Sequence, residues 1–454
     1  MNKFSRLLQV NVTKSGLCIG CGLCSALDRS GTTKLERNIN GDLVAAFSQK
    51  ADLPEAAWLA CPGKGVDYPT LFNHFFGGLP TDWRLGWSKR IWTGYASDVE
   101  LRKTSSSGGI TTAVLKYLLD EKYVDGVIIA SQGTKKSASE TSWKLVKSSS
   151  ELMSFSQSVY VGVPMLESIR NLDVSKKYAM TATSEDCAAL RELQRGLCES
   201  ALAVKYIVGP YTGTTLASNA IQGISKHYGI ASSDKLTSLK WRAGTWPGYF
   251  EARFSSGSLI RVKKIYYNFL IPFYVSKLSL TSMDFANDFT DLSIGDAWSP
   301  KFEGNSLGHS VVVCRTNKME IIINKMLRAG LLELELIDPL EASNMHGHMI
   351  DFKRRGSFIR RKLFKLVGLM VPDNGIYPKN LPITRTLIEI PIFILFLLCR
   401  TKFSRHIIQF VPPTILGYLF NIARLIWKAL SKPVKRKGLR NLDLGVQSPV
   451  WRKK

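Results

Sequence analysis

A chain of 454 residues, 45% hydrophobic and 21% charged, is too long for one hydrophobic core and points to two or three units packed together. Its net charge of +25 is unevenly placed: residues 351–454 carry 22 Lys and Arg against 4 Asp and Glu, a balance of +18 that leaves +7 for the first 350. The eight cysteines fall as one motif of four and four singles, which excludes a disulfide framework; with no continuous apolar run at the start, they predict a reducing, cytoplasmic setting.

Near the N-terminus, Cys18-Ile19-Gly20-Cys21-Gly22-Leu23-Cys24 sets three thiols at a repeat of three residues, and Cys61-Pro62 supplies a fourth. This is ferredoxin spacing, in which three thiolates close on one face of a 4Fe-4S cube and a distant fourth caps the remaining iron. Zinc and inert thiols are the alternatives. Zinc ribbons normally bring a second close pair, however, and Cys61 stands alone. Residues 1–85 are therefore expected to form a ferredoxin-like iron–sulfur module with a turn at Asn40-Gly41-Asp42.

After a Gly/Pro/Trp-rich joint, Arg90-Ile91-Trp92-Thr93-Gly94-Tyr95-Ala96 has the pattern of a strand. The loop Ser105-Ser106-Ser107-Gly108-Gly109 follows, then apolar residues at helical spacing from Ile110 and a strand at Val127-Ile128-Ile129. Hydroxyls, open backbone N–H groups and the positive end of a helix dipole together make a phosphate seat, although Ser and Gly also simply cap helices.

From about 150 to 345, helical and extended patterns alternate as in α/β and α+β domains. Trp246-Pro247-Gly248 precedes two strands. Asp291-Leu292-Ser293-Ile294-Gly295-Asp296-Ala297-Trp298 delivers Asp296 to a loop, where it either handles a proton or substrate hydroxyl or caps the loop through backbone N–H groups. Cys198, Cys314 and Cys399 are expected to be small buried hydrophobes. His346 and His348, with no carboxylates or thiols nearby in sequence, are expected to be loop residues rather than metal ligands.

The order of these motifs, the cysteine loop, R-x-x-S-S-S-G-G with V-D-G-V, W-P-G, D-L-S-I-G-D-A-W and V-x-x-R-T, resembles the coenzyme F420 hydrogenase/dehydrogenase beta-subunit family over roughly residues 10–340. The resemblance implies an oxidoreductase carrying FAD and iron–sulfur clusters, which passes electrons between clusters and an organic two-electron acceptor. It also implies a flavin site that includes residues 105–109, and a redox or ligand role for Cys187. The chain departs from the family pattern in two places. Met180-Thr181-Ala182-Thr183-Ser184-Glu185-Asp186-Cys187 replaces a Gly-Thr-Pro-Cys loop, and 275–283 lacks a Cys-x-x-Cys, so a single cluster is expected.

In the tail, Lys353-Arg354-Arg355 and Arg360-Arg361-Lys362 precede apolar runs interrupted by Pro412-Pro413 and end in Lys432-Pro433-Val434-Lys435-Arg436-Lys437. Apolar faces edged with cations suit the inner face of a membrane; a packed helical hairpin or a solvated tail are the alternatives. Nucleic acid is disfavoured, because the cations alternate with aliphatic rather than stacking aromatic residues.

The expected protein has a mixed α+β and α/β fold: the module over 1–85, a flavin-binding body over 86–345 and a basic amphipathic helical region over 346–454. It would take electrons from a ferredoxin or partner subunit through a cluster on Cys18, Cys21, Cys24 and Cys61. FAD at Ser105, Ser106, Ser107, Gly108 and Gly109 would follow, then an organic acceptor, a deazaflavin or a surface-polysaccharide precursor, with Asp296 and Cys187 as catalytic candidates. An electron-transfer subunit and a non-catalytic polysaccharide-assembly scaffold are the competing readings.

Overall fold

The computed structural model describes residues 1–38, 41–134, 137–263, 268 and 270–452, with the backbone alone over 430–437. Asn40 of the expected turn and the side chains of 432–437 thus lie outside the described residues. Gly41 and Asp42 lie within them. The Asp42 N–H donates to Asn38 Oδ1 at 3.0 Å, beside the antiparallel hairpin of β1 (Lys34–Arg37) and β2 (Leu43–Ala46).

Eight strands form one mixed sheet. In chain order the next five are β3 (Arg90–Ala96), β4 (Gly126–Gln132), β5 (Thr141–Val146), β6 (Tyr178–Thr181) and β7 (Val204–Pro210). A separate antiparallel sheet follows, of β8 (Leu236–Ala243), β9 (Tyr249–Phe254) and β10 (Leu259–Lys263), and then β11 (Leu292–Asp296), β12 (Ser310–Cys314) and β13 (Leu332–Leu336) complete the large one. Its order is β13-β3-β12-β11-β7-β6-β4-β5, with β4, β6, β7 and β11 parallel and the outer pairs antiparallel. The mixed α/β architecture expected from the sequence is present.

Alternation along the strands sorts the core into two layers. Val127 and Ile129 of β4 face the helix α2 (Ile110–Asp120), whose Ile110, Val114, Leu115 and Leu118 recur at helical spacing. Ile128, Met180 and Ile207 face the opposite way, onto α3 (Ser184–Gln194). The N-terminal module keeps a small core of its own around Leu8, Val12, Leu17, Leu53 and Ala57, and also shares this second layer. Leu23, Ala56 and Ala60 pack with Met165 and Leu166, and Ser25 donates to Glu167 Oε1 at 3.0 Å.

The C-terminal region departs most from expectation. Lys353, Arg354, Arg355, Arg360 and Arg361 are buried rather than turned to solvent or lipid. They line a turn of π-helix and the start of α5 (Ser357–Leu366), which clasps the loop before β11. Arg354 donates to both oxygens of Asp288 at 2.7 Å, Arg355 and Arg385 pair with Asp351 at 2.8 and 3.0 Å, and Arg385 pairs with Glu389 at 2.6 Å. Lys353 and Arg360 donate to the carbonyls of Ser279 and Leu280 at 2.9 and 2.7 Å. The sequence pattern shows cation clusters but not the carboxylates, 66 residues away in the case of Asp288, that meet them.

Removing one partner of a buried ion pair strands the other without solvent. Asp288→Ala is therefore expected to lower the unfolding free energy by about 3–5 kcal/mol. Chemical denaturation measures this, and a loss well under 1 kcal/mol would show that the clasp contributes little.

Candidate functional site at the strand ends

The cysteine loop is built by close backbone approach. Gly22, at φ +87°, precedes the short helix α1 (Leu23–Leu27), and a Cβ there would sit 2.6 Å from Glu167 Cβ. The Leu166 N–H donates to Cys21 O at 2.8 Å, which fixes the loop on the body. Cys18 and Cys24 pack with the buried Cys61, and the Ala45 N–H donates to Cys18 Sγ at 3.4 Å. Burial raises all four thiols, that of Cys61 to about 11. Asp186, Cys18 and Cys61 raise Cys21 further, and the other three thiols raise Cys24. The four thiols thus lie near enough to act on one another, with Cys61 buried and Cys18, Cys21 and Cys24 partly so. Among the described residues, no three His, Cys, Asp or Glu side chains are grouped closely enough to hold a metal ion.

A cavity of about 1580 Å³ opens at the carboxyl ends of the parallel strands, where Ala130, Thr181, Pro210 and Asp296 reach its wall. Ligands of open α/β sheets bind at this edge. Ile19, between the first two cysteines, reaches the same wall.

The Ser/Gly loop opens α2 toward this cavity, but its hydroxyls are not equivalent. Ser105 donates to Leu101 O at 2.8 Å and Ser107 to His309 O at 3.0 Å, while the Gly108 N–H donates to Ser310 Oγ at 3.2 Å. Ser106 accepts from the Ser158 N–H at 3.0 Å, so its own proton is left for a ligand. Gly109 caps the helix at φ +77°, a conformation that favours glycine, and no side chain caps the first turn. Gly109, Ile110, Thr111 and Thr112 all line the cavity, so the N-terminal N–H groups and Ser106 remain as anion donors.

Asp296 stands on the wall with both carboxylate oxygens engaged: Arg242 donates to Oδ2 at 2.8 Å and the Trp246 indole to Oδ1 at 3.0 Å. This geometry makes Asp296 a fixed anion that holds Arg242 and the Trp246 loop. Cys187 lies behind the wall, fully buried in the core, and burial drives its thiol far above the ordinary value. Cys314 and Cys399 are buried as expected, and Cys198 is partly so. His346 and His348 belong to a helical stretch of the cavity wall, with His346 edge-on to Tyr211 at 5.0 Å.

Sequence reasoning passed over Arg242, Glu185 and Asp186. Glu185 Oε1 and Asp186 Oδ1 are buried on the cavity side without a hydrogen-bond partner among the described residues. The sequence signal was available: two adjacent acids directly after β6 and opening α3, in the loop where the chain departs from its family pattern.

Burial raises the Asp186 carboxyl from 3.8 to about 7, partly opposed by the hydrogen bond from Thr183 and reinforced by Glu185. The folded protein thus holds a proton that the unfolded chain loses, so this residue's contribution to stability falls as pH rises from about 4 to about 7. Asp186→Asn is expected to be near neutral at pH 4 and stabilising at pH 8, by up to about 4 kcal/mol. Equal effects at both pH values in chemical denaturation would contradict this.

Comparison with known proteins supplies the family. The family model described as coenzyme F420 hydrogenase/dehydrogenase, beta subunit N-term, matches residues 91–170, and its counterpart for the carboxyl-terminal part of the same beta subunit matches 175–339. The chain is similar to coenzyme F420 hydrogenase subunit beta of Methanococcus voltae, with 24% identity over 254 residues that cover 54% of this chain and 84% of that protein. A chain of the F420-reducing NiFe hydrogenase complex from Methanosarcina barkeri aligns at a TM-score of 0.48 and 21% identity, covering 62% of this chain and 95% of that one. With both halves of the family's pattern matched in order across more than half of its length, the chain belongs to the coenzyme F420 hydrogenase/dehydrogenase beta-subunit family.

Proposed function

We propose that the protein is an iron–sulfur flavoprotein oxidoreductase: a ferredoxin-like module holds a 4Fe-4S cluster on Cys18, Cys21, Cys24 and Cys61, and FAD occupies the cavity. The observation that carries this reading is the common wall. Ile19 of the cysteine loop and the open N-terminus of α2 border one space, so an electron arriving at the thiols has a short path to a cofactor seated there. The cavity exceeds the roughly 300–1,000 Å³ typical of small-ligand pockets, as a dinucleotide requires. When bound, the cluster exchanges single electrons and the flavin couples them to two-electron chemistry on an organic acceptor.

The chain's own groups have separable tasks in this reading. The N–H groups of Gly109 to Thr111 and the Ser106 hydroxyl bind phosphate. Ser105 ties the loop back to Leu101, while Ser107 and Gly108 hold it against β3 and the start of β12. The open oxygens of Glu185 and Asp186 accept from ribose hydroxyls or ring N–H groups. Asp296 fixes Arg242 at the acceptor side. Cys187 could react only after the start of α3 moves, and unchanged turnover in Cys187→Ser would remove it from the chemistry. The electron donor is a ferredoxin or partner subunit. The acceptor is organic, of the class of polysaccharide precursors, at the inner face of a membrane. An electron-relay subunit is the second reading, favoured because the curated relative is a hydrogenase subunit.

Anaerobic purification with iron, sulfide and flavin assayed tests the proposal. Wild type is expected to carry four irons per cluster and one flavin, with both bleached by dithionite. Cys21→Ser is expected to lose iron. Gly109→Val, whose side chain would meet Leu101 Cδ2 at 2.4 Å from the Cβ position, is expected to lose flavin while keeping iron. Iron without flavin in the wild type would favour the relay, and neither would favour the polysaccharide-assembly scaffold.

A further inference from the structure

Three C-terminal helices, α6 (Ile383–Cys399), α7 (Lys402–Ile407) and α8 (Pro413–Arg440), leave an unusual amount of apolar surface in the open. Leu398, Phe403, Phe410, Tyr418, Leu419 and Ile426 are all exposed, Phe403 and Phe410 by 72% and 75%. Large apolar side chains exposed in this number within one region suit an interaction surface.

The surrounding charge selects the partner. Between residues 390 and 440 the sequence carries ten Lys and Arg and no Asp or Glu. Exposed apolar helices in a stretch whose only charged residues are cations fit an anionic lipid surface, although Arg400 and Arg405 face Asp42. No single helix among the described residues is long and apolar enough to span a bilayer, and the pair 402–410 and 413–429 is bent by 119°. That geometry suits helices lying in the interface.

Helix α8 has a second side. At 100° per residue, Arg424 and Lys428 share a face and Ile426 lies nearly opposite. Arg424 and Lys428 line the large cavity, as does Arg440 at the helix end. One helix therefore presents apolar residues outward and cations to the space proposed to hold the redox chemistry.

We infer that α6, α7 and α8 seat the protein on an anionic bilayer, and that the cavity accepts a membrane-anchored amphiphile with an anionic headgroup. Its head would lie beside Arg424 and Lys428 while its tail stays in lipid past α8. This deepens the oxidoreductase reading, on which it rests, by naming the acceptor's class.

The test uses the full cofactor-loaded chain. Flotation with vesicles of phosphatidylcholine alone, or of phosphatidylcholine with 30% phosphatidylglycerol, should show binding only to the anionic ones. Leu419→Asp/Ile426→Asp and, independently, Phe403→Asp/Phe410→Asp should each reduce it at least tenfold with iron and flavin content intact. Calorimetry with dodecyl phosphate below its micellar concentration reads the cavity: binding should weaken at least tenfold in Arg424→Gln/Lys428→Gln, and inorganic phosphate and dodecanol should each bind at least tenfold more weakly than dodecyl phosphate. Vesicle binding that ignores the apolar substitutions, inorganic phosphate equal to the amphiphile, or a dimer that those substitutions dissociate would each overturn the inference. Cofactor content measured on the same samples separates this failure from that of the oxidoreductase reading, which fails if iron or flavin is absent.

Discussion

A loop of buried carboxylates, and the cations that neutralise it, govern how the sheet and the C-terminal helices meet. Asp284, Asp288 and Asp291 have no exposed surface. Asp291 accepts from the Ile207 N–H at 2.8 Å and pairs with Arg191 and Lys318 at 3.2 and 3.0 Å, tying β7, α3 and the helix α4 (Asn317–Arg328) to the start of β11. Asp284 turns back on its own loop, accepting from the N–H groups of Asn287 and Asp288 at 2.9 Å each, while Arg354 closes over Asp288. Such groups add little net stability over well-packed apolar residues, but each is costly to strand, so the register of these elements is sharply specified.

Those charges also explain what the sequence motifs were carrying. Thr316 donates to Asp291 Oδ1 at 3.0 Å, and Arg315 donates to Ala286 O at 2.8 Å and to Ser293 Oγ at 3.1 Å. The first half of D-L-S-I-G-D-A-W, together with V-x-x-R-T, therefore holds the scaffold, and only the second half, from Ile294 to Trp298, borders the cavity. The strands and the α2 pattern were legible because alternation and helical spacing are local. The placement of Lys353 to Arg361 was not, since burial of a cation depends on a partner far along the chain. Among the three serines, sequence could not distinguish Ser106 from its neighbours: what separates them is which carbonyl each happens to face.

The cavity gathers groups from several separate stretches of chain, and no one stretch is informative alone. Parallel strand ends supply part of its wall, the opening turn of α2 a positive pole, Glu185 and Asp186 oxygens without partners among the described residues, and α8 three cations. The wall thus combines groups of both signs from α2, α3 and α8.

Residues 444–452 come back across the whole molecule to the cysteine module. The short strands β14 (Ile376–Pro378) and β15 (Leu444–Val446) pair, Trp451 lies over the Lys64 ammonium at 3.1 Å, and Arg452 pairs with Asp67 at 2.6 Å. Lys64 is only three residues beyond Cys61, and burial brings its ammonium down to about 7. The segment that follows the fourth cysteine is thus held in place by residues near 450, so a change in either of these distant stretches is felt directly in the other.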